Sequence, residues 1–406
     1  MNRNNEQAKK AARGQPEASP LHVGGPNIGD REVFDRLVDG IFERRWFTND
    51  GVVVKQFESM LCEYVGVKHC IPVCNATVGL QLACQALNLS GEIILPAFTF
   101  VATPHAVQWE GLTPVFADID PESHTLCPRS VESLITDRTS AILGVHLWGN
   151  PCDTDRLEQL AAKHQLEVLY DAAHALGCGH NKSMIGNFGR CEVFSFHATK
   201  FFNTFEGGAI ATNDDELAKK IRLMKNFGFA AMDKVVHLGT NAKMTEICAA
   251  MGISMFACLN EILQNNRSNY LLYRKLLQQI PGVKHFSLEH LDRTNWQYIV
   301  VEIDENRFGA SRDAVFDQLH ANNIRARRYF FPGCHEMEPY KSVYGNQPRD
   351  LPHTEQLCKT VLCLPTGSCV NESDVKRVCA ILRATPKQSV GGPLRLHARP
   401  TRRAAS

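Results

Sequence analysis

Ser195-Phe196-His197-Ala198-Thr199-Lys200 is followed closely by Glu206-Gly207-Gly208-Ala209. The lysine leaves an apolar run of strand length, Val193-Phe194-Ser195-Phe196, and the two glycines, lacking a Cβ, let backbone come close. Such a lysine suits an amine held over a planar cofactor, where it acts as a nucleophile. Taken by itself, the segment also fits a solvated lysine on a loop, the commoner state of lysines.

Upstream, Leu169-Tyr170-Asp171-Ala172-Ala173-His174 sets a carboxylate at the carboxyl end of another apolar run. There it can keep a cofactor's ring nitrogen protonated, which makes the ring an electron sink; it can equally cap a helix. His174 suits either a hydrogen bond to a phenolic oxygen on that ring or a satisfied place in the core. Further upstream, Cys74-Asn75-Ala76-Thr77 opens a helical pattern with small residues and a hydroxyl. Free N–H groups and a partial positive charge make such a helix start a phosphate seat, and the same residues are ordinary capping signals. Neither G-x-G-x-x-G nor G-x-x-x-x-G-K-[ST] occurs, which speaks against a dinucleotide fold, and so against an NAD-dependent sugar oxidoreductase, and against a P-loop.

Around these segments, strand-length runs alternate with helical ones. Helices are expected over 53–64, 77–89, 153–165 and 214–225, and strands at 93–95, 115–117, 141–145, 168–170, 193–196 and 209–211. That alternation implies an α/β fold with a mainly parallel sheet flanked by helices, binding its ligand at the carboxyl ends of the strands. From Leu259 the texture changes to a helix, a strand at 298–303 and helices at 312–322 and 372–382, a smaller α/β domain. The expected division is a flexible arm over 1–24, a large domain over 25–258, a small domain over 259–385 and a flexible basic tail over 386–406 carrying Arg395, Arg399, Arg402 and Arg403.

The 406 residues suit two domains, and 44 basic against 43 acidic residues leave no global field to draw nucleic acid or an anionic membrane. The fifteen cysteines are odd in number and lack paired short spacings, so neither a disulfide framework nor a metal site is expected. No apolar leader or membrane-length run occurs, and a cytoplasmic protein is expected.

The order decides between these readings: helix-start phosphate seat, Pro96-Ala97-Phe98-Thr99-Phe100, a strand ending in Asp171, then Ser195 to Lys200. With Trp46-Phe47-Thr48-Asn49, Pro114 to Asp120, Val145-His146-Leu147-Trp148-Gly149 and Leu364-Pro365-Thr366-Gly367, it resembles the fold-type I pyridoxal-phosphate enzymes of the DegT/DnrJ/EryC1/StrS sugar aminotransferase family, from about Gly25 to Leu382. The resemblance implies pyridoxal 5′-phosphate held covalently by Lys200, with Asp171 on the pyridine nitrogen, His174 near the phenolic oxygen and Phe100 against the ring. Ala76, Thr77 and Ser195 would seat the phosphate. Asn241 would serve the neighbouring subunit's phosphate, making a homodimer with shared active sites.

Where the family often reads Gly-x-Asn-x-Arg, this chain has Lys243, which keeps the charge and loses the bidentate fork. Together with Arg328 to His335 and Glu338-Pro339-Tyr340, this segment looks most like the family's dTDP-4-amino-4,6-dideoxy-D-glucose transaminases. These use L-glutamate to aminate C4 of dTDP-4-dehydro-6-deoxy-D-glucose. Trp148, Lys243, Tyr329 and His335 are then the candidate substrate contacts. Amination at C3, a GDP- or UDP-linked substrate, or a non-catalytic cofactor-binding regulator are the alternatives.

Overall fold

The computed structural model describes residues 19–345 and 350–385. Seven strands form the central sheet, in the order His69–Val73, Gly208–Thr212, Cys191–Ser195, Glu167–Asp171, Thr139–Val145, Glu92–Pro96 and Thr113–Ala117. Gly208–Thr212 alone runs antiparallel to its neighbours. The other pairings are parallel, so Asp171, Ser195, Val145 and Pro96 all end at one edge of the sheet.

Side chains alternate across this sheet and divide the core in two. Ile71, Val193 and Ile210 join Leu80, Ala83, Val107 and Ile221 on one face. Cys70, Phe194, Ala209 and Ala211 join Phe57, Leu61, Phe202 and Met255 on the other. The helix Ala76–Ala86 lies so close to the first face that a Cβ on Gly79 would come within 2.8 Å of Val193.

The expected strands and helices are present within a few residues of their expected ends, and His69–Val73 is an addition. Pro72 argues against a strand because it cannot donate to a ladder. This strand tolerates it by lying at the edge of the sheet, where its outer side carries only an isolated bridge from Val73 to Lys243.

A second, three-stranded sheet of Val283–His285, Ile299–Ile303 and Val361–Leu364 packs against helices Leu259–Leu277, Arg312–Ala321 and Glu372–Ala384. The chain crosses to this layer at Cys258, between Glu246–Ala257 and Leu259–Leu277, which meet at 64°.

The flexible arm expected over 1–24 does not extend through its last residues. Leu21–His22 pairs in parallel with Ile324–Arg325, because Leu21 has an apolar core to enter. Residues 1–18 of that arm and the basic tail over 386–406 lie outside the described residues.

Candidate active site

The strand ends and the helix start surround one cavity of about 610 Å³. Lys200, Asp171, His174, Ser195, Ala76, Thr77, Phe100 and Tyr329 all line it.

Asp171 is buried at the end of its strand. Its carboxylate accepts hydrogen bonds from Thr103 Oγ1 at 2.8 Å and from Ala173 N–H at 3.0 Å. Thr103 is in turn 2.9 Å from Thr99 one helical turn earlier, which orients the hydroxyl. Burial pushes the Asp171 carboxyl above its usual range against those two bonds and the nearby Lys200. The capacity left on this carboxylate faces the cavity.

The Lys200 amine lies 3.4 Å from Tyr298 Oη, to which it donates. Burial lowers its pKa from 10.5 to about 8, with Asp171 opposing the shift. The amine is therefore partly neutral near neutral pH, as a nucleophile and a base require.

His174 Nδ1 accepts the Trp148 backbone N–H at 3.2 Å. Burial and then the Lys200 cation hold the imidazole well below its ordinary pKa, so it stays neutral with its proton on Nε2.

At the opposite end, the helix Ala76–Ala86 begins at Asn75, whose side chain caps Val78 N–H at 2.9 Å. The N–H groups of Ala76 and Thr77 find no partner among the described residues. Gly208 makes this placement possible, since a Cβ there would sit 2.8 Å from Ala76 N. Of the two glycines, Gly208 thus serves the approach of the helix start to the sheet, while Gly207 makes room for Thr204 and Met244. Ser195, at the end of the adjoining strand, completes this polar end of the cavity.

Three of the four expected substrate contacts, Trp148, His335 and Lys243, do not line the cavity. Trp148 is fully buried, with φ 61°, and its indole lies parallel to Phe330 at 5.6 Å and edge-on to Tyr298 at 5.3 Å. The left-handed backbone turns this ring beneath the cavity wall, so Trp148 acts through its backbone N–H on His174. His335 is buried too, because the chain turns back at Gly333, φ 94°, and folds the imidazole beneath it.

Asn241 and Lys243 also lie outside this cavity. Lys243 Nζ donates to Asn241 Oδ1 at 2.7 Å and sits 4.6 Å above the Phe227 ring. Asn241 itself is exposed beside an apolar hairpin in which Met232 is 91% and Leu238 79% exposed.

The sequence reading missed Tyr298, Phe330, Arg327 and Thr103. Tyr298 begins an expected strand, but a strand pattern does not say which cavity a flanking residue meets. Arg327 lines the cavity, lies 5.4 Å over the Tyr329 ring, and is pinned by two backbone hydrogen bonds with Cys363. Thr99 and Thr103, four residues apart at a helix start, were the one readable signal.

The model of the DegT/DnrJ/EryC1/StrS aminotransferase family matches residues 29–383. The dTDP-4-amino-4,6-dideoxy-D-glucose transaminase of Shigella dysenteriae is 36% identical over 364 residues, 90% of this chain and 98% of that protein. GDP-perosamine synthase of Caulobacter vibrioides is 35% identical over 370 residues, 89% of this chain and 97% of that protein. Among solved structures, DesI in the presence of its TDP-sugar product superposes with a TM-score of 0.86 at 47% identity, covering 90% of this chain and 93% of that one. This chain belongs to the DegT/DnrJ/EryC1/StrS aminotransferase family.

Proposed function

We propose that this chain is a pyridoxal-phosphate-dependent aminotransferase. It moves the amino group of L-glutamate to C4 of dTDP-4-dehydro-6-deoxy-D-glucose, giving dTDP-4-amino-4,6-dideoxy-D-glucose and 2-oxoglutarate. One observation carries the reading: a lysine amine of lowered pKa and a buried carboxylate with unspent hydrogen-bonding capacity line a cavity that also holds an unpartnered helix start. The named relatives and the DesI structure support the sugar nucleotide.

The residues present fit the cofactor. The free N–H groups of Ala76 and Thr77, with Ser195, suit its phosphate. Asp171 suits the pyridine nitrogen, and Phe100 and His174 flank the place for the ring. Bound there, pyridoxal phosphate draws electrons away from the bonds of the amino-bearing carbon.

The chain's own residues supply the rest. Asp171, oriented by Thr103 and the Ala173 N–H, keeps its charge aimed into the cavity. Lys200 would hold the cofactor, and when its amine is free it would take the proton from the amino-bearing carbon of glutamate and later return one to C4 of the sugar. Two successive substrates use one site, so the kinetics are ping-pong. Neutral His174 would offer its Nε2 proton to the cofactor's phenolic oxygen, and the aromatic wall of Phe330 and Tyr329 would keep water from the reacting atoms.

The active unit is a homodimer. The exposed apolar residues beside Asn241 suit burial against a second copy, which would bring Asn241 and Lys243 to the neighbouring site. Fifteen free cysteines support a reducing cytoplasm, and no single helix among the described residues is long and apolar enough to cross a membrane.

The test is incubation with L-glutamate and a panel of 3-keto and 4-keto sugars linked to dTDP, GDP or UDP, read by mass and NMR. Amination at C4 of the dTDP sugar is expected. Turnover of a GDP-linked 4-keto sugar alone would favour the second reading, which the likeness to GDP-perosamine synthase supports. Failure to consume glutamate with any member of the panel would overturn both.

A further inference from the structure

Tyr298 has no assigned part in the chemistry above, yet from the other layer of the molecule its hydroxyl comes within hydrogen-bonding distance of the Lys200 amine. It stands one residue before the strand Ile299–Ile303 of the three-stranded sheet, while Lys200 belongs to the large sheet's side. Its ring is 7% exposed and packs on His174 at 4.5 Å and on Trp148 at 5.3 Å. Among the described residues, Lys200 is the only hydrogen-bonding partner of its hydroxyl. A buried phenol costs free energy unless its oxygen is satisfied, and packing alone would be met as well by phenylalanine.

We propose that Tyr298 is a positioning residue for Lys200: its phenolic oxygen accepts a hydrogen bond from Nζ whenever that amine is free, and so turns the amine's lone pair into the cavity. The inference rests on the aminotransferase reading, because only a lysine that is alternately bound and released needs a resting partner. At 3.4 Å the bond is long, as such bonds often are before substrate closes a site. A lysine bends easily, and the ring packed against His174 and Trp148 does not, so the amine comes to the phenol. Burial holds the Tyr298 hydroxyl far above its ordinary pKa, so it stays neutral and keeps its lone pairs for Lys200. The other groups facing this pair are Asp171 and His174 beside the lysine, and Tyr329 and Cys363 beside the phenol.

An acceptor on Nζ favours the ammonium form, so its loss lowers the pKa of Lys200 further. The test uses Tyr298→Phe, which keeps the ring. In the cofactor-free protein, the rate at which an amine-reactive reagent labels Lys200 is followed against pH by peptide mass spectrometry. The inflection is expected to move down by about one unit, the size of a hydrogen bond to a charged group. In the holoenzyme kcat is expected to fall about tenfold, with KM for both substrates within about twofold.

Tyr273→Phe is the control, since it removes another buried phenol, bonded to Pro365 O at 2.9 Å and remote from the lysine. It should leave the labelling profile where it was. An unchanged inflection in Tyr298→Phe, with a melting temperature equal to that of the unsubstituted protein, would reduce Tyr298 to packing and overturn the proposal. The labelling readout needs no transamination, so a failure of the enzymatic reading would be recognised separately.

Discussion

Asp171 and Glu192 are two buried carboxylates on adjacent parallel strands, with Tyr170 opposite Glu192 and Asp171 opposite Val193. Glu192 is wholly enclosed. His146 Nε2 lies 2.9 Å from one oxygen, while the Gly186 and Phe188 N–H groups donate to the other at 2.6 and 2.7 Å. The Cys152 N–H donates to His146 Nδ1, which leaves the imidazole proton on Nε2, pointing at Glu192. Asp171 is almost as buried, but it takes only two bonds from the chain and borders the cavity. Burial therefore does not separate the carboxylate that faces the cavity from the one that holds the fold. The separating property is hydrogen-bonding capacity left unspent and aimed at open space.

The sharpest challenge to this contrast lies in the residues with spare capacity. Lys200→Ala is expected to lower turnover by at least about four orders of magnitude while leaving the melting curve in place. Robust transamination by this variant, in a coupled glutamate assay, would break the assignment. Asp171→Asn keeps the shape and removes the charge, with an expected loss of about a thousandfold in kcat and little change in stability.

Glu192→Gln should do the reverse. Breaking a buried hydrogen-bonded pair is expected to cost about 3 kcal/mol in urea unfolding, while kcat per folded molecule stays within about threefold. If Glu192→Gln instead lost turnover at full stability, the two carboxylates would share one role and the contrast would collapse.

A smaller effect concerns pH. In the cofactor-free protein the folded chain releases the Lys200 proton at about 8, whereas the unfolded chain keeps it up to the ordinary 10.5. Over that window the unfolded state binds more protons, so folding stability gains from this group as pH rises from about 8 to 10.5, and loses that gain as pH falls back to about 8. Relative to Lys200→Met, the melting temperature is expected to gain roughly 2–4 °C between pH 8 and 10. The smallest effect is expected for His174→Gln, which retains an acceptor for the Trp148 N–H; kcat should stay within about threefold.

Much of the site was legible before any coordinates, because its central residues sit next to regular elements. Lys200, Asp171 and Ala76 each flank an apolar run or a capped helix, and parallel strands bring their carboxyl ends to one edge of the sheet. The segment from Arg327 to His335 was not legible in the same way. Its backbone turns at Gly333 and anchors through Cys334 N–H on Ala97 O at 2.8 Å, so Tyr329 and Phe330 meet the cavity while His335 does not. Trp148 failed for a related reason: a left-handed backbone at a non-glycine residue sends the side chain where no periodicity predicts.

The amino-acid order alone determined the class of sheet, the lysine, the carboxylate and the helix start that line the cavity. These follow from local propensity and from the fixed direction of parallel strands. Only the folded chain decided that Tyr298 and Arg327 reach the cavity from the second layer, that Thr103 steadies Asp171, and that Glu192 is spent on His146. Such contacts join residues far apart in the chain, and their geometry is set by how two packed layers meet, which the order of residues within either layer does not encode.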